Sequence, residues 1–232
     1  MKKGLILCLG LVCSLSSYAL SSYEASYDLY ASTILGSIKI GHADFKLEVD
    51  GDRYVYTNKA SVNKLFKHLF NYSWSEKSSG MIVNQQLISN FYSLTEKKDD
   101  SVNKNIEIKI FVEQNFSIVN GEKFWKSGTG KITDELSLYL VLSRDIRIQP
   151  NNEIFTYQVA DSEGIKLQNF TVVGNEIIEI NGEELQTIKI ECPELKLTLN
   201  LSEKYDYLPV LIKMTNVGNH FNLTLIDYRK LP

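Results

Sequence analysis

Hydrophobic residues occupy every second position through most of this chain. The alternating runs are residues 23–31, 43–49, 106–112, 195–201, 208–214 and 221–225. A period of two places successive side chains on opposite faces of a β-strand. One apolar and one mostly polar face is typical of an antiparallel sheet with one solvated side. The sequence therefore predicts a mainly β protein.

Tight-turn signals separate these alternating runs. Asp50-Gly51, Asn120-Gly121 and Asn181-Gly182 each stand between two strand-like segments, and such pairs supply the positive φ values that short hairpins need. The spacing predicts about a dozen strands. Changes of phase within residues 38–45 and 165–172 indicate bulges or turns that curve the sheet. We expect a large curved antiparallel sheet, as an open or half-closed barrel-like meander, with a sandwich as the alternative.

One segment departs from the alternation and predicts a helix over residues 133–147. Thr133 suits the N-cap, and Asp134 and Glu135 suit the positive end of the helix dipole. Arg144 and Arg147 suit the other end. The predicted helix is apolar on most sides, so we expect it buried against the concave face of the sheet. Residues 61–70 are a candidate for a second, short helix.

The first nineteen residues have the three parts of a secretory signal peptide. Lys2 and Lys3 precede an uncharged apolar run at residues 5–15, and Ser17-Tyr18-Ala19 places small residues at the cleavage positions. The run is shorter than the roughly 20 residues that span a bilayer. We expect cleavage after Ala19, a single β-rich domain over residues 20–232, and a location in the bacterial periplasm.

Charge and composition exclude several classes of protein. The chain carries a net charge of −3, which becomes −5 without Lys2 and Lys3. No basic run is dense enough to bind phosphates along a backbone, so nucleic acid is not an expected partner. After the leader, no stretch is long and apolar enough for a transmembrane helix. Outer-membrane barrels also alternate, but an apolar mid-chain helix does not suit one.

No catalytic or metal-binding motif stands out in the sequence. His42, His68 and His220 belong to no HExxH or HxH pattern. Cys192 is the sole cysteine beyond the leader and suits a buried hydrophobic position. Glu76 adjoins aromatic residues, where a carboxylate could have a raised pKa, but a strand-edge charge is the simpler interpretation. We predict no catalytic residue, no metal, no cofactor and no enzymatic activity.

Aromatic residues concentrate in the middle third of the chain. Packing in the core would explain them, but they could also line a cavity for an apolar ligand. The candidate ligand site combines these aromatics with one face of the predicted helix. It comprises Tyr72, Trp74, Phe91, Tyr92, Phe124, Trp125, Leu136, Tyr139 and Leu140.

Several short motifs resemble an exported bacterial family known only as domain of unknown function 3108. The likeness begins with Tyr27-Asp28-Leu29-Tyr30 and continues through residues 38–45 and 49–54. Later pieces lie at residues 79–80, 134–138, 155–159 and 207–210. The resemblance spans nearly the whole chain after the leader. It implies a periplasmic β-rich domain, and it carries no established activity or catalytic residue.

Two functional hypotheses follow. The first is a periplasmic protein that binds or carries an apolar or amphipathic ligand, such as a lipid, in the cell envelope. The second is an envelope assembly or scaffolding protein that binds protein partners through exposed strand edges.

Overall fold

The computed structural model describes residues 20–33, 36–63, 66, 72–99, 101–128, 130–216 and 219–232. The predicted leader, residues 1–19, lies outside them. Within the described ranges a single sheet contains fifteen strands. They are β1 (Tyr23–Thr33), β2 (Gly36–Asp50), β3 (Arg53–Val62), β4 (Tyr72–Val83), β5 (Gln86–Lys98), β6 (Ser101–Phe111), β7 (Phe116–Val119), β8 (Glu122–Trp125), β9 (Ile132–Asp134), β10 (Ile154–Asp161), β11 (Gly164–Ile180), β12 (Glu183–Cys192), β13 (Leu197–Ser202), β14 (Leu208–Asn216) and β15 (Asn219–Lys230).

The strands form a meander in which the first and last strands of the sequence, β1 and β15, are paired. It runs β8-β7-β6-β5-β4-β3-β2-β1-β15-β14-β13-β12-β11-β10-β9. Every neighbouring pair is antiparallel except β9 and β10, which are parallel. The pairing of β1 with β15 joins the two halves of the chain side by side. The prediction of a mainly antiparallel, curved sheet is therefore confirmed, with one parallel pair added.

The alternating apolar residues form the inner face of this sheet. Along β1, Tyr23, Ala25, Tyr27 and Leu29 are all buried, and most inward residues of β2, β6 and β14 are buried too. Val49 near the end of β2 and Met214 near the end of β14 are only partly buried. Leu195 is an exception, because it lies in a 3₁₀ turn at Pro193–Leu195 rather than in β13. Cys192 is buried, as its position in the sequence suggested.

Bulges and tight hairpins produce the curvature. The β1–β2 register shifts between Leu29 and Tyr30, so Ile40 and Gly41 are both buried in succession. The change of phase at residues 165–172 is not a bulge in the β10–β11 pairing, which runs without a shift. The bulge lies instead after Val172, in the β11–β12 pairing. Asn120-Gly121 forms a predicted tight turn, with φ of 47° and 94°.

The curled sheet brings its two halves into contact without closing. β8 and β9 are the edge strands. The ring of Phe124 on β8 packs against Gly164 on β11, where an added Cβ would lie 2.6 Å from Cδ1 of the ring. Gln158 on β10 donates a hydrogen bond to the carbonyl of Ser127. Side chains and loop contacts, rather than a continuous ladder, thus complete the half-closed barrel.

A helix, α1 (Ser137–Ile148), lies inside the curve of the sheet. Most of its residues are buried, as predicted. Its predicted start at Thr133 is wrong, because Thr133 and Asp134 pair with Val159 and Ala160 in the parallel strand pair. Of the predicted short helix at residues 61–70, Ser61 and Val62 belong to β3, and most of the remainder lies outside the described residues.

Candidate ligand-binding site

A half-open pocket lies where the first and last strands meet the C-terminal part of α1. It has a volume of ≈ 260 Å³. Apolar and aromatic side chains form its floor, namely Tyr23, Tyr205, Tyr228, Leu140 and Leu208. The more exposed charged side chains of Arg147, Asp206 and Lys230 lie at the opening, and the buried Ser143 lines the interior. We call this cavity the rim pocket.

The register of the sheet assembles this pocket from distant parts of the sequence. Tyr23 pairs with Lys230, and Ala25 pairs with Tyr228. A 3₁₀ turn, Glu203–Tyr205, precedes Asp206, whose φ of 55° turns the chain into β14. This turn places the Tyr205 ring and the Asp206 carboxylate beside the end of β15.

Three tyrosines form a continuous aromatic surface in the rim pocket. The ring centroids of Tyr23 and Tyr228 are 5.6 Å apart, and those of Tyr205 and Tyr228 are 5.5 Å apart. The Tyr23 hydroxyl donates a 3.1 Å hydrogen bond to the buried Tyr56 hydroxyl. Aromatic rings that are fixed in this way provide a rigid apolar contact surface.

The opening of the rim pocket carries an excess of positive charge. Asp206 contacts the Lys230 ammonium at 2.6 Å and the Arg147 guanidinium at 3.5 Å. The Tyr228 hydroxyl donates a further 3.2 Å hydrogen bond to the same carboxylate. Two cationic side chains, Arg147 and Lys230, therefore lie beside one carboxylate in the lining of the pocket, and cationic side chains attract anionic groups.

A second polar cluster lies on the inner face of the sheet, around Asp134. This side chain is fully buried. One carboxylate oxygen accepts the backbone N–H groups of Leu136 and Ser137 at 2.9 and 2.8 Å. The other accepts the hydroxyl of Ser78 at 2.6 Å and that of Ser89. Asp134 thus joins the start of α1 to β4 and β5, which is a structural role.

Glu76 also faces inward, from β4. Its carboxylate accepts hydrogen bonds from the Asn58 amide at 2.7 Å and from the Tyr92 hydroxyl at 2.8 Å. Burial raises the pKa of Glu76, as the sequence suggested for a carboxylate among aromatics. Because the Asn58 and Tyr92 donors already satisfy this carboxylate, we assign Glu76 a structural role in the core.

Glu135 makes the stability of the fold depend on pH. Burial, with the nearby charges of Glu76 and Asp161, raises its pKa from 4.5 to about 7. Because the native carboxyl keeps its proton to a higher pH than the unfolded one, its stabilising contribution is complete below about pH 4.5 and is lost as the pH rises through 7.

We therefore expect Glu135→Gln to raise the free energy of unfolding at pH 8 by about 1–2 kcal/mol, allowing for partial exposure of the side chain. At pH 4 the substitution should change little. Urea denaturation at the two pH values measures the difference. An equal effect at both values would contradict this assignment.

The residues predicted from the sequence to form a ligand site are distributed over several parts of the fold. Tyr72 and Trp74 are half-buried neighbours on β4, with ring centroids 6.3 Å apart. Tyr92 is buried and faces the same interior. Tyr139 on α1 is half-buried against the core. Burial raises the pKa of its hydroxyl, and the negative charges of Glu76 and Glu135 raise that pKa further.

The remaining predicted residues lie elsewhere. Phe91 adjoins Tyr92 on β5 and so lies on the opposite face. Phe124 packs against Gly164, while Trp125 is 63% exposed on the edge strand β8. Leu136 is buried before α1. Of the nine residues, Leu140 alone lines the rim pocket.

The rim pocket therefore depends on residues that were not selected from the sequence. Tyr23 was identified as an inward residue of the first strand, and Arg147 as the end of the helix. Tyr205, Asp206 and Tyr228 lie outside the turn signals and the alternating runs identified in the sequence. Antiparallel pairing of the first and last strands would have been needed to place them together.

The chain resembles solved structures in fold but not in sequence. A crystal structure described as a β-barrel-like protein of domain of unknown function DUF1849, from Brucella abortus, has a TM-score of 0.54 and 10% identity, and the match covers 92% of this chain and 99% of that one. A DUF1089 family protein from Pseudomonas aeruginosa has a TM-score of 0.34 and 9% identity over 81% of this chain and 89% of its own. The first likeness supports the barrel-like fold alone. No protein-family model and no curated protein sequence matches this chain.

Two further observations concern the described part of the chain. In it, no group of three or more histidine, cysteine or acidic side chains is arranged to hold a metal ion. Within the same ranges, no helix combines the length and the apolar character needed to cross a membrane.

Proposed function

We propose that this chain is an exported bacterial protein that binds or carries an amphipathic ligand with an acidic head, such as a lipid, in the rim pocket. One observation carries the proposal: a floor of three tyrosines adjoins an opening that holds the cationic side chains of Arg147 and Lys230. The leader pattern supports export to the periplasm. The motifs that resemble domain of unknown function 3108 support a place in that family. Binding, rather than catalysis, is part of the proposal.

The shape of the pocket indicates how such a ligand would lie. Its apolar part would cover the rings of Tyr23 and Tyr228, and burial of that surface would provide affinity. Its acidic head would lie between Arg147 and Lys230. Ligand pockets commonly begin at roughly 300 Å³, so this cavity suits a short chain or one portion of a larger lipid. The rest of the ligand would extend through the opening.

Titration with decanoate and with decanol tests the charge requirement. We expect saturable binding of decanoate to the purified protein, and at least tenfold weaker binding of decanol, because the alcohol has no charge to pair with the two cations. The double variant Arg147→Gln/Lys230→Gln should bind decanoate at least tenfold more weakly. Isothermal titration calorimetry measures each affinity.

A matched control removes two exposed lysines that do not line the pocket. The variant Lys59→Gln/Lys77→Gln changes the net charge by the same amount and should bind decanoate as the wild type does. Equal affinities for decanoate and decanol, or equal losses in both double variants, would contradict the proposal.

An exposed aromatic edge supports a second candidate function, in envelope assembly or scaffolding. Phe111 and Phe116 stack with centroids 4.6 Å apart, and Phe116 and Trp125 are 5.1 Å apart. Trp125 lies on the edge strand β8, and the two phenylalanines lie on the neighbouring strands β7 and β6. A partner's strand could add to the sheet at this edge. Loss of a protein partner in Trp125→Ser, with decanoate affinity unchanged, would favour this function over the carrier.

A further inference from the structure

A second pocket lies on the outer face of the sheet, at the opposite ends of the strands that form the rim pocket. It has a volume of ≈ 300 Å³. The pairing of Thr198 with Lys213 and of Lys213 with Asn222 forms one row of side chains across β13, β14 and β15. A second row pairs Thr215 with His220. Lys196 and Ser32 complete the wall, and we call this cavity the basic pocket.

The lining of the basic pocket is one-sided in charge. Among the residues that the structure describes, the lining contains two lysines and a histidine but no carboxylate. In the described ranges, neither Lys196 nor Lys213 forms an ion pair, whereas Lys189 and Lys204 on the neighbouring elements pair with Glu191 and Glu183. A concave surface with one sign of charge concentrates counter-ions of the other sign.

Apart from Met214, the uncharged side chains of the pocket can donate hydrogen bonds. The hydroxyls of Ser32, Thr198 and Thr215 and the amide of Asn222 line the same space. The Thr215 hydroxyl and His220 Nδ1 are 2.9 Å apart, and this hydrogen bond orients the imidazole ring. Two ammonium groups with several neutral donors match a tetrahedral oxyanion that accepts many hydrogen bonds.

We propose that the basic pocket is a binding site for a phosphate group, supplied either as free phosphate or as the head group of an anionic phospholipid. Lys196 and Lys213 provide the charge, and the hydroxyls with Asn222 fix the orientation. The site is independent of the rim pocket, because it shares no residue with it.

Titration with inorganic phosphate and co-sedimentation with vesicles distinguish the two sources. We expect Lys196→Gln/Lys213→Gln to weaken phosphate or vesicle binding at least tenfold, while Lys213→Arg retains it. The Lys59→Gln/Lys77→Gln variant should bind as the wild type does. All four lysines are exposed, so the variants should keep the native far-ultraviolet circular dichroism spectrum.

Each outcome has a distinct meaning. Saturable binding of free phosphate that depends on Lys196 and Lys213 supports a soluble phosphate ligand. Binding to vesicles of phosphatidylglycerol with phosphatidylcholine, but not to phosphatidylcholine alone or to free phosphate, supports the lipid head group. No saturable binding by the wild type in either assay, or an equal loss in both double variants, overturns the proposal.

Discussion

Gly80→Ala should unfold this protein or cost at least about 3 kcal/mol of the free energy of unfolding. A Cβ at this position would lie 2.0 Å from the carbonyl oxygen of Ile88 and 2.8 Å from the Tyr54 ring. The first of these is a backbone atom of the neighbouring strand, so a change of rotamer cannot remove the clash. The β4 and β5 strands would have to separate beside their bulge, where the register shifts between Ser79 and Gly80.

A different glycine separates this steric effect from backbone strain. Gly182 has a φ of 78°, and a Cβ there would meet no atom within 4 Å. Gly182→Ala should therefore cost only about 1 kcal/mol, from the left-handed backbone conformation. Urea denaturation of both variants measures the contrast. Similar costs at the two positions would show that β4 and β5 do not approach as closely as described.

Asp134→Ala should also be strongly destabilising, with a loss of about 3–5 kcal/mol, because it leaves several buried donors without an acceptor. It removes the acceptor for two backbone N–H groups at the start of α1 and for the hydroxyls of Ser78 and Ser89. All of these donors lie in the interior, where water cannot replace the lost partner. The helix would lose its connection to β4 and β5.

The isosteric variant tests that explanation. Asp134→Asn keeps one oxygen for the two backbone N–H groups, and its amide can donate to serine hydroxyls that rotate to accept. We expect it to recover at least half of the stability that Asp134→Ala loses. Asp227→Ala, at an exposed position on β15, should change stability by less than about 0.5 kcal/mol. Equal losses in the Ala and Asn variants at position 134 would exclude the hydrogen-bond explanation.

Alternation predicted the sheet well because each strand contributes its own signal. Tyr27 and Leu47, for example, are buried where their positions in the pattern place them. The start of α1 was harder to predict, because the parallel pairing of Thr133 with Val159 depends on a strand that comes later in the chain. A threonine such as Thr133 suits both a strand and a helix N-cap, so the sequence alone does not distinguish the two.

The rim pocket was less predictable than the fold for a related reason. Closeness in sequence suggested an aromatic cluster, yet Phe91 and Tyr92 lie on opposite faces of β5, and Trp125 lies on an edge. The rim pocket depends instead on contacts between chain ends, such as the pairing of Tyr23 with Lys230. Only the register of the whole sheet brings those residues together.

Mass spectrometry of organic extracts tests the central claim most directly. The protein would be purified without detergent from the periplasm of its native host. The account predicts a stoichiometric acidic amphiphile in the wild type, retained by Lys59→Gln/Lys77→Gln and lost from Arg147→Gln/Lys230→Gln. A wild-type extract that contains no such molecule, or one whose content is unchanged in the Arg147 and Lys230 variant, would contradict a carrier role for the rim pocket.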